Sequence, residues 1–454
     1  MATRVLGRLD ELTHTINEQM ERWDVPGLAI GILDVGEVET RAFGQASIET
    51  RHPAAAETLF QIGSISKIFT TTLVMTLVDE GKVDLDTPVV EYVPELPLAD
   101  KAARRAITLR NLVTHTGGFY GDRFDDHGYG DDALARAVAA FDTLKQQTAP
   151  GELWTYCNAG FDLAGRVVEL VLSQRFEDAM RERVFDPLRM ANTTYFAQEA
   201  IRHAVAVGHE PDEDGKLKIS EPWPIPRRSN PAGGISSNVD ELLRFARMHV
   251  QDGEVDGTRV LSEASAQAMR TKQVDADARG AWGLGWSLRT ISETVIAEHN
   301  GATNGFTARL TTIPARGFAL AILTNGSRGG SAHGAISSAA LERFFGLTED
   351  EPTPVEWDAD RLVRFAGLYR QDLADLTLTV EDGGYRVAIR STNPFDGQQR
   401  DRDPFRFVPI GDRLLLAKGG ESDGGRADFI LNPDGSARFL RFGGRLAYPA
   451  GADS

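Results

Sequence analysis

Apolar and polar residues follow the two-residue period of β-strands in several short segments of the chain. Segments 27–33 and 37–43, with Val35-Gly36 near the turn between them, predict a β-hairpin. Further strands are predicted at 293–299, 306–312 and 318–324. Together these segments supply a sheet layer.

Elsewhere the apolar residues recur every three or four positions, which predicts helices. The predicted helices lie before Met20 and at 64–80, 132–145, 159–173, 239–251, 262–270 and about 332–345. Most of this helical region is inserted between the strands. We therefore expect a cleft between a sheet layer and a helical layer.

The C-terminal part of the chain has a different pattern. Segment 348–354 is polar and contains two prolines, which indicates a linker. Short apolar or alternating segments ended by Gly, Asp or Pro turns follow at 365–369, 376–380, 385–389, 405–409, 413–417, 427–431 and 437–442. They predict a small antiparallel β-barrel. The predicted domains are 1–347 and 361–454, with a linker at 348–360.

The composition narrows the classes of partner. The chain has 454 residues, of which 41% are hydrophobic and 25% charged, as in ordinary globular proteins. Its net charge of −17 argues against nucleic acid and anionic membranes as partners. Residues 1–20 contain no uninterrupted apolar block, and no run has the length of a membrane span. We expect a cytoplasmic enzyme that does not bind a membrane.

Cysteine and histidine usage indicates neither disulfides nor metal. Cys157 is the only cysteine, which excludes an intrachain disulfide, and we expect it to be a buried packing residue. The nine histidines show no metal-ligand spacing. We expect no metal and no cofactor.

Ser64-Ile65-Ser66-Lys67 is the first candidate for chemistry. Helical spacing places Lys67 one turn after Ser64 on the same face. A lysine can take a serine proton near pH 7 only if burial or nearby positive charge keeps it partly neutral. The apolar run 68–78 and the positive end of the helix dipole supply these conditions. The alternative is a solvated serine and lysine on a helix face.

Tyr156-Cys157-Asn158 is the second candidate. It follows a Pro-Gly turn, and alternation presents Tyr156 and Asn158 to one side. A tyrosine hydroxyl can relay a proton to a leaving group, and the Asn158 amide can bridge Lys67 and a substrate carbonyl. The alternative for Tyr156 is a buried tyrosine with a satisfied hydroxyl.

His299-Asn300-Gly301 is the third candidate, at the end of a predicted strand. A glycine at position 301 lets a substrate lie against the strand edge. The amide of Ala302 can then pair with the amide of Ser64 as an oxyanion hole.

These three elements resemble those of the penicillin-recognising serine enzymes. Within these enzymes, the chain most resembles the branch that comprises class C β-lactamases, D-alanyl-D-alanine carboxypeptidases, D-aminopeptidases and related esterases. The resemblance covers about 5–345 and extends to the segments 107–118, 231–237, 283–286 and 323–326. It implies an α/β (α+β) fold, in which helices and a helical subdomain flank an antiparallel sheet. The C-terminal segment resembles the lipocalin-like domain of some members.

The resemblance also implies roles for individual residues. Ser64 corresponds to the acylated nucleophile, Lys67 to its base and Tyr156 to the proton relay. Asn158 corresponds to a substrate-orienting amide and His299 to the partner on the third strand. β-Lactamases of this branch usually carry Lys-Thr-Gly where this chain has His-Asn-Gly. Because the charge of an imidazole is marginal at pH 7, we expect inefficient β-lactam hydrolysis.

We therefore expect a serine hydrolase that cleaves an ester or amide of a small molecule or short peptide, including D-amino-acid peptides, through a Ser64 acyl-enzyme. Alternatives are an acyl transferase or peptide cyclase with an amine acceptor, a D-alanyl-D-alanine carboxypeptidase or weak β-lactamase, and a non-catalytic binding module. Arg445, beside two glycines, is expected to reach the cleft and bind a substrate carboxylate or carbonyl. The other expectation is that the barrel only stabilises the enzyme.

Overall fold

A nine-stranded antiparallel sheet forms the centre of the first domain in the computed structural model, which describes residues 7–277, 280–392 and 397–451. The strands of this domain are β1 (Gly27–Asp34), β2 (Glu37–Ser47), β3 (His52–Pro53), β4 (Phe60–Gln61), β5 (His209–Pro211), β6 (Leu217–Ile219), β7 (Ser236–Ser237), β8 (Glu254–Val255), β9 (Thr258–Arg259), β10 (Val274–Asp275), β11 (Ala281–Trp282), β12 (Ser287–Ile291), β13 (Thr294–Thr303), β14 (Phe306–Ile313) and β15 (Phe318–Thr324). The main sheet has the order β10-β11-β12-β13-β14-β15-β1-β2-β3. The other strands pair as β4–β7, β5–β6 and β8–β9.

Helices pack against both faces of this sheet and form the helical region beside it, and the last of them belongs to the C-terminal barrel. They are α1 (Arg8–Arg22), α2 (Ser66–Asp79), α3 (Lys101–Ala106), α4 (Leu109–Val113), α5 (Ala133–Ala139), α6 (Asn158–Leu172), α7 (Phe176–Met180), α8 (Ala197–Ala200), α9 (Asn230–Gly233), α10 (Val239–Val250), α11 (Glu263–Met269), α12 (Gly329–Phe345) and α13 (Ala359–Phe365). The sheet and helical layers expected from the sequence are confirmed. The helix predicted at 132–145 is shorter, because it ends at Ala139 and Phe141–Thr143 continues as a 3₁₀ turn.

Strand β1 shows why the sheet has helices on both faces. All its residues are buried, and alternate side chains enter two different cores. Ile30 and Ile32 pack with residues of α1 and α12, whereas Ala29 and Leu33 face the larger core of the helical region. The predicted β1–β2 hairpin is confirmed.

Helix α2 lies inside the helical layer. The residues from Ser66 to Leu77 are all buried, so the helix is surrounded by protein. The threonine hydroxyls of this helix are hydrogen-bonded. Thr71 donates to the Lys67 carbonyl at 2.9 Å, and Thr70 donates to the Pro231 carbonyl at 2.7 Å. Hydrogen-bonded hydroxyls avoid the cost of unsatisfied polar groups in a dry helix.

The C-terminal part is a closed antiparallel barrel, as predicted. Its strands are β16 (Gly367–Gln371), β17 (Ala374–Glu381), β18 (Gly384–Thr392), β19 (Gln399–Asp401), β20 (Phe405–Pro409), β21 (Leu414–Lys418), β22 (Arg426–Leu431), β23 (Ala437–Phe442) and β24 (Arg445–Pro449). Eight of them close the barrel because β24 pairs with β16 and β17 pairs with β18. The sequence pattern did not reveal α13, β19 or β24. Trp357, inside the predicted linker, packs in the barrel core.

Within the ranges that the structure describes, no helix combines the length and apolar character needed to cross a membrane.

Candidate active site

Ser64 lies at the entrance to α2, in a single 3₁₀ turn formed by Gly63–Ile65. The turn places the Ser64 hydroxyl next to the first turn of α2, where Lys67 points back toward it. Lys67 Nζ donates to Ser64 Oγ at 3.0 Å and to the carbonyl of Ala232 at 2.6 Å. The predicted Ser–Lys pair therefore exists, and the solvated alternative is wrong because Lys67 is 0% exposed.

Burial sets the charge state of Lys67. It lowers the pKa of the ammonium group to about 7, against the opposing effect of the Asp162 carboxylate. The charge of Arg445 lowers this pKa further, and that of Asp122 raises it. A substantial neutral fraction at pH 7 can accept the Ser64 proton.

Tyr156 completes the group around Ser64. Its hydroxyl hydrogen-bonds the Ser64 side chain, and its ring centroid lies 5.0 Å from Lys67 Nζ. Burial raises the pKa of the phenol above its usual value, despite the Ser64 hydrogen bond and the nearby Arg445 charge. Tyr156 is therefore a neutral phenol at pH 7, suited to passing protons on.

The Ser64 turn and strand β13 approach each other through two glycines. A Cβ atom added to Gly63 would lie 2.5 Å from the Ala302 nitrogen, and one added to Gly301 would lie 3.0 Å from the Ser64 nitrogen. Both amides therefore border the same gap between turn and strand. Ala302 is exposed, and Ser64 is partly exposed at this position. Two main-chain amides that border one gap can act together as an oxyanion hole.

His299 on β13 borders the same site as a neutral ring. Its Nδ1 lies 2.6 Å from the Asn300 carbonyl, which can only accept, so Nδ1 carries the proton. Burial, with the charge of Lys67, lowers the pKa of His299 to about 3. The buried Nε2 consequently presents a lone pair, and it has no hydrogen-bond partner within the described part of the chain.

Asn158 and Arg445 meet at a residue that sequence reasoning missed. Asn158 is the first residue of α6, and its Nδ2 donates to Asp122 Oδ1 at 2.7 Å. Arg445 donates to the same carboxylate from Nε at 2.8 Å and from Nη2 at 3.2 Å. The Arg445 guanidinium also lies 4.6 Å from the Tyr156 ring centroid. Arg445 thus reaches the cleft as expected, where its observed partner is a protein carboxylate.

The turn between β23 and β24 docks the barrel against the Tyr156 segment. The Tyr156 amide donates to the Gly444 carbonyl at 2.8 Å. Arg441 Nη1 donates to the Trp154 carbonyl at 3.1 Å. Gly444 has φ +77°, and a Cβ there would lie 3.1 Å from the Trp154 ring. A glycine therefore suits this close approach.

His115 supports Tyr156 from the other side. Its ring stacks on the Tyr156 ring at 4.2 Å between centroids, and its Nδ1 accepts from the Cys157 amide at 3.0 Å. Burial lowers the pKa of His115 well below its usual value, so the imidazole is neutral. The available sequence signal was its place in the family-like segment 107–118. Cys157 is buried, as expected.

Asp162 and Arg228 form a buried ion pair beneath the lysine. Arg228 Nη1 donates to Asp162 Oδ2 at 2.6 Å, and each side chain is 1% exposed. Burial raises the pKa of Asp162 to about 6, with Arg228 opposing the effect.

No cluster of three potential metal-ligating His, Cys, Asp or Glu side chains is found in 7–277, 280–392 and 397–451.

Comparison with known proteins places these features in a family context. The family model described as Beta-lactamase matches residues 12–343. Penicillin-binding protein 4 of Amycolatopsis lactamdurans is 37% identical over 313 residues, which are 66% of this chain and 81% of that protein.

Two solved structures show how far the fold is shared. The crystal structure of SurE superposes with a TM-score of 0.76 and 24% identity, covering 98% of this chain and 99% of that one. A class C β-lactamase from Rhodobacter sphaeroides has a TM-score of 0.63 and 20% identity, covering 74% of this chain and 99% of that one.

Proposed function

The chain belongs to the β-lactamase family, and from that premise we propose that it is a serine hydrolase that cleaves an ester or amide through a Ser64 acyl-enzyme. The observation that carries the proposal is the convergence of Ser64, a buried Lys67 and Tyr156 in one hydrogen-bonded group. A non-catalytic binding module would not require a serine whose neighbouring lysine has a pKa of about 7.

Acylation begins with transfer of the Ser64 proton to neutral Lys67. The Ser64 oxygen attacks the substrate carbonyl, and the Ser64 and Ala302 amides stabilise the negative charge that develops on the carbonyl oxygen. Tyr156 relays the proton now held by Lys67 to the leaving alcohol or amine as the carbonyl re-forms. Water then attacks the acyl-enzyme, and the acid is released as Ser64 regains its proton.

The remaining predicted contacts stay predictions. Asn158 orients the substrate amide, Gly301 lets it lie against β13, and Arg445 is positioned to meet a carboxylate or carbonyl. His299 accepts a hydrogen bond from a substrate N–H or O–H, because its Nε2 is an unpartnered acceptor among the described residues. A neutral imidazole cannot replace the cation that holds a β-lactam carboxylate, so we expect slow β-lactam turnover.

Covalent labelling tests the nucleophile. A fluorophosphonate probe is expected to label the wild-type protein on Ser64, and peptide mass spectrometry locates the adduct. Ser64→Ala is expected to abolish labelling and ester turnover, whereas Ser338→Ala, an exposed serine on α12, leaves both unchanged. Ester turnover by Ser64→Ala at the wild-type rate would refute the proposal.

Acyl transfer to an amine is the second candidate, and the Nε2 of His299, which has no hydrogen-bond partner among the described residues, is compatible with it. This lone pair can orient an amine N–H as readily as water. Turnover of p-nitrophenyl esters, D-amino-acid amides, D-Ala-D-Ala peptides and nitrocefin is compared with and without an amine acceptor. An acceptor-dependent amide product supports transfer, and free acid alone supports hydrolysis.

A further inference from the structure

The barrel contributes one member of a charged pair beside the candidate catalytic residues. Arg445 comes from β24 and Asp122 from the loop before α5, and their side chains are only 29% and 9% exposed. Two hydrogen bonds join them, at 2.8 and 3.2 Å, so the pair has a fork-like geometry. Asp122 also accepts from Asn158, which fixes the carboxylate at the start of α6.

The guanidinium faces the ring of the proton relay. Arg445 lies 4.6 Å from the Tyr156 ring centroid, and the barrel turn that carries it also accepts the Tyr156 amide hydrogen bond. A cation over an aromatic face, with a carboxylate beside it, places a fixed dipole next to the reacting groups. A stabilising appendage would not need charge at this position.

We propose that Arg445 and Asp122 act as one positioning unit, through which the barrel sets the charge environment of Lys67 and Tyr156. The inference rests on the proposed serine hydrolase function and adds a role for the barrel. Arg445 favours the neutral form of Lys67 and disfavours protonation, whereas Asp122 acts in the opposite sense. The two residues therefore have opposed effects on the same proton.

Other titratable groups also face Lys67, and they limit how far Arg445 and Asp122 can change its pKa. Asp162 on α6 has a larger opposing effect on the lysine than Arg445 or Asp122, and its own charge is paired with Arg228. Neutral His115 follows α4, neutral His299 lies on β13, and Tyr156 and Cys157 precede α6 with their protons retained. None of these groups belongs to the barrel, and Arg445 is the barrel residue whose charge acts on the Lys67 pKa. The barrel carboxylate Asp372, between β16 and β17, interacts with Asp122 and stays in place in every variant.

The pH profile of kcat/KM on a neutral ester, p-nitrophenyl acetate, tests the unit. Activity requires neutral Lys67, so the acid limb of the profile reports its protonation. Arg445→Gln removes a cation and leaves Asp122 unbalanced, so the limb is expected to move to higher pH by about half a unit to one unit. Asp122→Asn is expected to move it to lower pH by a similar amount, and the double variant to return it near the wild-type position.

Matched variants distinguish a charge effect on Lys67 from a structural effect and from binding of a substrate anion. Arg445→Lys keeps the charge and is expected to keep the wild-type limb. Arg390→Gln and Asp401→Asn change an exposed ion pair elsewhere on the barrel, and are expected to leave the profile unchanged. Because a neutral ester lacks a carboxylate, any effect on it does not arise from binding a substrate anion.

Two results would overturn the proposal. One is a loss of kcat in both single variants with an unmoved acid limb, which indicates a structural role only. The other is an Arg445→Gln effect confined to the KM of carboxylate-bearing substrates. Fluorophosphonate labelling of each variant is measured in parallel: absence of label in the wild type refutes the serine hydrolase itself, whereas labelled variants with an unmoved limb refute only the positioning unit.

Discussion

At the scale of single residues, burial decides the chemistry of this site. Lys67 lies one turn from Ser64 because of local helical spacing, but its ability to act as a base depends on the exclusion of its amine from water. Burial lowers the pKa of Lys67 to about 7 and that of His299 to about 3. One group is therefore half-neutral at pH 7, and the other is fully neutral and acts as an acceptor.

The Lys67 pKa predicts how activity depends on pH. Below pH 7 Lys67 is protonated and cannot take the Ser64 proton, so kcat/KM for a neutral ester is expected to rise tenfold per pH unit and level off above about 7. Lys67→Arg stays protonated throughout and is expected to lose about 10²–10⁴-fold in kcat/KM. Stopped-flow or plate-reader pH profiles measure both effects.

Lys101→Arg is the control for this substitution. Lys101 is an exposed lysine on α3, and its replacement is expected to leave the profile unchanged. A flat wild-type profile between pH 5 and pH 8 would contradict the assignment of Lys67 as the base.

At the scale of elements, the site depends on how closely β13 approaches the Ser64 turn. Gly301→Ala introduces a Cβ against the Ile62 carbonyl and 3.0 Å from the Ser64 nitrogen. The strand must move away, which separates the Ser64 and Ala302 amides of the proposed oxyanion hole. We expect kcat/KM to fall about 10²-fold or more, the usual effect of losing one oxyanion donor.

Gly330→Ala provides the comparison for this glycine. Gly330 is exposed near the start of α12, and an added Cβ meets nothing within 4 Å. We expect wild-type kinetics and stability. Wild-type kcat/KM in Gly301→Ala would show that the gap between β13 and the Ser64 turn does not form the oxyanion hole.

The sequence revealed local relationships in these elements and missed distant ones. Ser64 and Lys67, the β1–β2 hairpin and most strands follow from spacing within one segment. Asp122 could not be found because its partner, Arg445, is 323 residues away. Strand β24 was missed because it is short and follows the Gly443–Gly444 turn directly, so it offers little alternation of its own.

At the scale of the whole molecule, the chain has separate hydrophobic cores that meet at the candidate active site. The barrel core includes Trp357, Phe365 and Phe429, and the rings of Phe365 and Phe429 stack at 4.6 Å. The β23–β24 turn joins this core to Tyr156. Loss of barrel packing is therefore expected to reach the active site.

Phe429→Ala tests that connection. Phe429 is 1% exposed, and removal of its ring is expected to cost about 3–5 kcal/mol of stability. The midpoint of thermal unfolding and the temperature at which ester turnover ceases are both expected to fall, and to fall together. Val363→Ala, an exposed position on α13, is expected to change neither.

Hydrogen exchange followed by mass spectrometry identifies which part opens first in Phe429→Ala. Faster exchange in 405–449 accompanied by unchanged turnover would show that the first domain works without the barrel.

The hydrogen bond between the Tyr156 amide and the Gly444 carbonyl joins main chain to main chain. Such a link depends on backbone shape rather than on which side chains fill the barrel. A foreign barrel of similar curvature could consequently be grafted onto this chain by retaining the Gly-Gly-Arg tip together with Arg441, whose side chain also docks on the Trp154 carbonyl, so that most of the inner lining is open to redesign.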